Sequence, residues 1–136
     1  MLAAIDHMVL VVRDIERALA FYRDVLGCRP LREAEWRRGE ARFPSLAVGD
    51  GQMLNVRQAG TPVNPEAVNP QAGSADLCFV AAAPIAEVEA RLARHGVPVE
   101  LGPVRRAGGR GRIGVSVYFR DPDGNLLEVM SYEDAA

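Results

Sequence analysis

Apolar residues fall along this chain in two rhythms, and both rhythms occur twice. The run Ile5-Asp6-His7-Met8-Val9-Leu10-Val11-Val12 is β-branched, apolar and far shorter than a membrane span, which predicts a half-buried or buried strand. A helix is expected next. Asp14 is placed to cap it, Ile15, Ala18, Leu19, Tyr22, Val25 and Leu26 recur at helical spacing, and Gly27 stands where a left-handed C-terminal cap belongs. In the second half, Ala75-Asp76-Leu77-Cys78-Phe79-Val80 reads as a strand, Pro84 opens a helix with Ile85, Val88 and Leu92 as its stripe, and Gly96 closes it. Asp76 precedes Gly96 by the distance at which His7 precedes Gly27, so His7 and Asp76 occupy matching positions.

The later part of each half repeats as well. The turn Gly49-Asp50-Gly51 precedes Gln52-Met53-Leu54-Asn55-Val56, and Asp121-Pro122-Asp123-Gly124 precedes Asn125-Leu126-Leu127-Glu128-Val129. Both turns carry glycine where a hairpin needs a positive φ. Counting on equally from each final glycine reaches Asn55 and Glu128, which makes these positions equivalent too. A period of about 70 residues is too long for a solenoid unit and points to two fused copies of one supersecondary module. Module one is expected over about residues 1–57 and module two over about 74–133, within a single domain spanning 1–136. Between them, Gln58 to Gly73 is rich in proline, glycine and asparagine and reads as a surface connector. The basic stretch from Gly102 to Arg112 reads as a flexible solvated loop, with an anion-gripping lid as the alternative.

Composition narrows the function. With 49% hydrophobic residues, a chain of 136 residues has enough apolar side chain for a continuous core. A net charge of −2 argues against phosphate-backbone binding, so nucleic acid is not expected as a partner. No run approaches the ~20 apolar residues of a membrane span, and no basic region precedes the first apolar stretch; neither a membrane nor a secretory signal is expected, and the chain reads as cytoplasmic. Cys28 and Cys78 form no metal or disulfide pattern and are expected to be reduced and buried.

His7, Asn55, Asp76 and Glu128 are polar residues inside apolar strands, where a polar group needs a partner. Imidazole and carboxylate oxygens from separate strands can converge on one divalent ion and leave sites open for substrate; hydrogen bonding within a core is the simpler alternative. Their recurrence at matched positions in both halves favours the metal. Arg57 lies two residues beyond Asn55 and therefore on the same strand face. A guanidinium there suits an anionic substrate group; otherwise its head reaches solvent or pairs with Asp76. His95 sits in the last turn of a helix and is given no chemical role.

Three segments carry a resemblance: residues 6–12, Phe21-Tyr22-Arg23-Asp24-Val25-Leu26-Gly27, and the run from Tyr118 through Asp121-Pro122-Asp123-Gly124 to Val129. Together they resemble the glyoxalase, bleomycin-resistance and extradiol-dioxygenase superfamily, the vicinal oxygen chelate proteins, over nearly the full chain. Leu54-Asn55-Val56, Gly73-Ser74-Ala75-Asp76-Leu77-Cys78 and Gly102-Pro103-Val104 are similar to the glyoxalase domain-containing protein 5 type. The resemblance implies an α+β fold of two tandem βαβββ modules, with eight strands in a curved mixed sheet and helices outside. It also implies metal ligands on the first and last strands of each module, here His7, Asn55, Asp76 and Glu128.

Two positions depart from that pattern. Asp76 stands where many relatives carry histidine or glutamine, and Asn55 stands where a glyoxalase I carries glutamate, so the paired acid-base carboxylates of a standard glyoxalase I are incomplete. One histidine with carboxylates likewise departs from the two histidines and one carboxylate of an extradiol iron site. Ser116 and Tyr118 match a serine and tyrosine that the fosfomycin-resistance thiol transferases place near substrate, although Val9 and Asp76 depart from that branch. For Tyr118 the alternative is a strand-end tyrosine with its hydroxyl in water.

The expected protein is therefore a metal-dependent enzyme of lyase, isomerase, transferase or dioxygenase type acting on a small oxygen-chelating anion. His7, Asp76 and Glu128 would hold a divalent ion (Mn, Fe, Ni, Co or Zn), Glu128 would double as the catalytic base, and Arg57, Ser116 and Tyr118 would contact substrate. A homodimer is expected. The competing expectation is a metal-free protein that binds a small molecule of antibiotic type.

Overall fold

The computed structural model describes residues 1–133. The chain divides into two compact units, a first covering residues 1–74 and a second beginning at Ala75. Each unit holds one four-stranded mixed sheet, so the eight strands form two hydrogen-bonded ladders of the same design.

In the first unit, β1 (His7–Val12) leads into α1 (Ile15–Asp24), followed by β2 (Arg29–Leu31), a short α2 (Glu33–Arg37), β3 (Ser45–Val48) and β4 (Gln52–Gln58). The sheet order is β1-β4-β3-β2, with β1 parallel to β4 and the other neighbours antiparallel. Asp14 caps α1 as its position suggested, accepting from the Arg17 amide at 3.1 Å. Gly27 turns the chain at φ 73, and the amides of Gly27 and Cys28 bond back to carbonyls of the helix end. Strand alternation sends Leu10, Val12, Leu46, Leu54 and Val56 to one side, and these residues are buried along with Ile15, Ala18, Leu19 and Tyr22 of α1. Burying side chains of this size stabilises by roughly 1.5–3 kcal/mol each. The alternate residues Val9, Val11, Ser45, Asn55 and Arg57 occupy the helix-free face.

The second unit repeats the scheme with β5 (Asp76–Val80), α3 (Ile85–Arg94), β6 (Leu101–Ala107), β7 (Ile113–Arg120) and β8 (Leu126–Ser131), ordered β5-β8-β7-β6. Gly96, at φ 67, ends α3, with its own amide bonded to Ala93 and that of Val97 to Leu92. Ile85, Leu92, Val117, Phe119, Leu127 and Val129 form the buried side. The hairpin before β8 is tied by the buried Asp121 carboxylate, which accepts from the Asp123 and Asn125 amides at 2.9 Å each and from Asn125 Nδ2 at 2.7 Å. Asn125 Oδ1 in turn accepts from the Ala75 amide at 2.8 Å, clamping the start of β5 to the start of β8.

Two features differ from the sequence reading. The basic stretch after Gly102 is not all loop, because β6 runs to Ala107 along β7 and the Arg110 and Arg112 guanidinium groups lie 5.2 and 4.7 Å from the Tyr132 ring centre. Cys78 is exposed on the helix-free face, while Cys28 is buried and both thiols are free. At the start of the connector, the Ala59 amide donates to the Val12 carbonyl at 2.7 Å. No helix among the described residues is long and apolar enough to cross a membrane.

Candidate functional site

The chemistry-bearing residues lie on the helix-free faces, and each sheet presents a different kind. In the first sheet, β1 and β4 run side by side with Val9 opposite Asn55 and Val11 opposite Arg57; His7 stands opposite Met53, one same-face step before. His7 Nδ1 is 2.8 Å from Asp6 Oδ1. With Nδ1–H donating to that carboxylate, Nε2 keeps its lone pair, which is the tautomer a metal ligand requires.

Asn55 is occupied by its own neighbours. Its Oδ1 accepts from Ser45 Oγ at 2.7 Å and from Arg32 Nη2 at 3.4 Å, and the same Arg32 nitrogen donates to Ser45 Oγ at 2.5 Å. A cation adjacent to that oxygen opposes a second cation there, so Asn55 does not fit the ligand position the resemblance implied. Arg57 does share this face, as strand alternation required, and is buried. Its partner is Glu66 of the connector: Nη2 donates to Glu66 Oε2 at 2.9 Å, and Nε is buried with no partner among the described residues.

The second sheet presents carboxylates instead. Cys78 lies opposite Glu128 and Asp76 opposite Leu126, which sets Asp76 and Glu128 on the same face two rungs apart. Ser116, expected to contact substrate, has no exposed surface and donates to Glu128 Oε2 at 2.6 Å. A bond this short to a carboxylate holds one of the two oxygens and fixes the direction of the other. Tyr118 is the strand neighbour of Glu128, and its hydroxyl accepts from Arg106 Nε at 3.1 Å. The Cys78 thiol is pushed up to about 12, by burial first and then by the Glu128 carboxylate, so it stays a protonated, unreactive thiol near neutrality.

An imidazole and two carboxylates make a donor set suited to a divalent transition ion. Among the described residues, however, no three His, Cys, Asp or Glu side chains gather closely enough to hold one. Sequence reasoning missed three participants: Arg32, Ser45 and Glu66. Nothing in their local pattern marked them, since Arg32 arrives from a turn, Ser45 from a short strand and Glu66 from the connector.

The family model described as Glyoxalase/Bleomycin resistance protein/Dioxygenase superfamily matches residues 4–129. The chain is 40% identical over 128 residues to the virulence protein STM3117 of Salmonella typhimurium, covering 94% of this chain and 83% of that one. It is 39% identical over 132 residues to glyoxalase domain-containing protein RDO1 of Mycosarcoma maydis, covering 97% and 70% respectively. Among solved structures, an integron cassette protein from the mobile metagenome of V. cholerae superposes with a TM-score of 0.87 at 38% identity, over 97% of both chains.

Proposed function

The chain belongs to the glyoxalase/bleomycin resistance/dioxygenase superfamily, and on that footing we propose that it is a divalent-metal-dependent enzyme acting on a small, oxygen-chelating anionic substrate. The observation that carries this reading is the pair Asp76 and Glu128 on one sheet face, with Glu128 held by the Ser116 hydroxyl at 2.6 Å. A carboxylate fixed in this way is preorganised, and that is what a ligand or a general base needs. His7, with Nε2 left available by Asp6, is the third ligand of the proposal. When bound, the ion would polarise vicinal substrate oxygens and stabilise developing enolate or oxyanion charge.

Arg57 holds the anionic end of the substrate, Tyr118 is a contact, and Ser116 acts through Glu128. The exposed Met8, Val9 and Val80 on β1 and β5 are consistent with a homodimer that covers them. A standard glyoxalase I is disfavoured by Asn55, whose amide cannot serve as a base. Lyase, isomerase, transferase and dioxygenase chemistry all stay within the proposal. Kinship to the glyoxalase domain-containing protein 5 type and a cytoplasmic location belong to it as well.

A metal-free small-molecule binder is the second reading, favoured by the closed Arg57–Glu66 pair. The test is metal content after purification without added ions, followed by titration with Mn, Fe, Ni, Co and Zn. Stoichiometric metal that is lost in both His7→Ala and Glu128→Ala supports the enzyme. A wild type that takes up none of these ions at micromolar concentration leaves the binder.

A further inference from the structure

The two helix-free faces differ in the charged side chains at their centres. Where the second sheet presents Asp76 and Glu128, the first presents Arg57 and Arg32 around the neutral Asn55. Asn55 and Arg57 lie about 6.6 Å apart along β4, the spacing of same-face neighbours on a strand. Arg32 reaches this face from the turn between β2 and α2, bonding Ser45 and Asn55 through one nitrogen and stacking 5.5 Å from the Phe43 ring centre. Its backbone sits at φ 58, the left-handed region, and it is the one non-glycine residue with positive φ among those described. A residue with a Cβ adopts that conformation only when its surroundings impose it, and such positions cluster at ligand sites.

Arg57 adds a second, independent observation. Its side chain is 9% exposed, yet one guanidinium edge is half used: Nη2 meets Glu66, and Nε meets no partner among the described residues. A guanidinium binds an oxyanion best through two parallel N–H donors, and a buried donor without a partner is costly. Glu66 thus fills the position of an anionic ligand while leaving one donor unsatisfied. A cleft of about 470 Å³ lined by Arg32, Glu35, Glu40, Ala41, Arg42 and Phe43 adjoins the Arg32 side of this group. Glu40 is paired with Arg38 at 3.0 Å, with Glu35 4.0 Å from the same side chain, so the carboxylates of the cleft have a counter-ion of their own. The cleft is within the size range of small-molecule sites.

We propose that the helix-free face of the first sheet is an oxyanion receptor, in which Arg57 and Arg32 bind the carboxylate or phosphate group of a small molecule and Glu66 of the connector occupies Arg57 until that group displaces it. This deepens the reading above, since it rests on an anionic substrate at Arg57, but it does not depend on a metal. Removing the internal competitor strengthens binding in proportion to how fully Glu66 holds Arg57.

The test uses the full chain, dialysed free of metal, with inorganic phosphate and malonate as probes in isothermal titration. Glu66→Gln should tighten at least one probe by about 3- to 10-fold, and Arg32→Gln should weaken it by about 10-fold, the range of one charge-assisted hydrogen bond. Arg57→Lys keeps the charge and serves where removal of Arg57 prevents folding; it should also weaken the probe, because an ammonium lacks the planar fork. Unchanged or weaker binding in a folded Glu66→Gln protein, or full affinity in Arg32→Gln, overturns the proposal. So does a wild type and a Glu66→Gln protein that both fail to bind either probe at millimolar concentration. A parallel Mn titration of the wild type judges the metal reading separately, so that either can fail while the other stands.

Discussion

Removing the hydroxyl of Ser116 is the sharpest perturbation of the carboxylate pair on the second sheet. Ser116 has no exposed surface and its Oγ donates to Glu128 Oε2 at 2.6 Å, so Ser116→Ala deletes one charge-assisted bond with little change of volume. Hydrogen bonds to charged groups contribute about 1.5–3 kcal/mol. Glu128 is only half-buried and water can reach it, which places the expected loss at the low end, about 1.5 kcal/mol. For a chain of this length that corresponds to a fall in Tm of about 5 °C. The functional effect should be larger than the thermal one, because groups that orient a metal ligand are worth about 10- to 100-fold in affinity when mutated. A double-mutant cycle of Ser116→Ala with Glu128→Gln, read by urea denaturation, isolates the pair from the burial of Ser116 itself. Mn affinity of the single Ser116→Ala variant supplies the second readout. A coupling energy below about 0.3 kcal/mol, or Mn affinity within twofold of wild type, would refute the idea that Ser116 holds Glu128 for ligation.

Three other outcomes follow from particular contacts. Gly102→Ala should destabilise by at least about 2 kcal/mol, because φ there is 117 and a Cβ would stand 2.5 Å from the Ser116 carbonyl oxygen, a backbone atom that cannot yield; an unchanged urea midpoint contradicts this. Asp121→Ala strands the Asp123 and Asn125 amides and the Asn125 side chain in a buried turn, with an expected cost of at least about 3 kcal/mol at the low end of 1–3 kcal/mol per lost partner, visible as a lowered unfolding midpoint. Cys78, raised to about 12, should react with iodoacetamide far more slowly than a free thiol at pH 8. Its nearby carboxylate disfavours the thiolate, so Glu128→Gln lowers the thiol's pKa and must speed the reaction, with burial keeping it below the free-thiol rate. Equal rates in the two proteins would show that the carboxylate does not act on the thiol.

What the sequence disclosed was whatever hydrophobic burial controls. β1, α1, β4, β5, α3 and β8 each hide one apolar face, and their periodicity exposed them together with Asp14, Gly27 and Gly96 as stops and starts. The elements that escaped are held by other forces. α2 buries no residue and is braced by ion pairs from Arg37 to Glu33 and Glu16, which hydrophobic spacing does not encode. β6 is an exposed edge strand containing Gly102 and Pro103; its backbone bonds to β7 hold it, not an apolar alternation. At the site, strand alternation correctly put Arg57 beside Asn55, since that needs only a period of two. Arg32 and Glu66 were invisible because they reach the face from a turn and a connector, whose side-chain directions no periodicity fixes.

That division also accounts for how one architecture supports two unlike faces. Exchanging a residue such as Val56 or Leu127 on the helix side creates a cavity or a clash at a cost of several kcal/mol, so both modules must keep that side apolar. On the helix-free side, polar residues are stabilised by one another: Asn55 by Arg32 and Ser45, Glu128 by Ser116. A metal ion requires local negative charge, and an oxyanion requires the reverse. Were both modules to carry glutamate at the Asn55 and Glu128 positions, Arg32 would form an ion pair with the first and lose its capacity for a substrate anion. The amide at Asn55 forms no ion pair with that guanidinium, so Asn55→Glu is expected to weaken phosphate or malonate binding in isothermal titration by about the 10-fold of Arg32→Gln or more while the fold persists; unchanged affinity in a folded Asn55→Glu protein contradicts this.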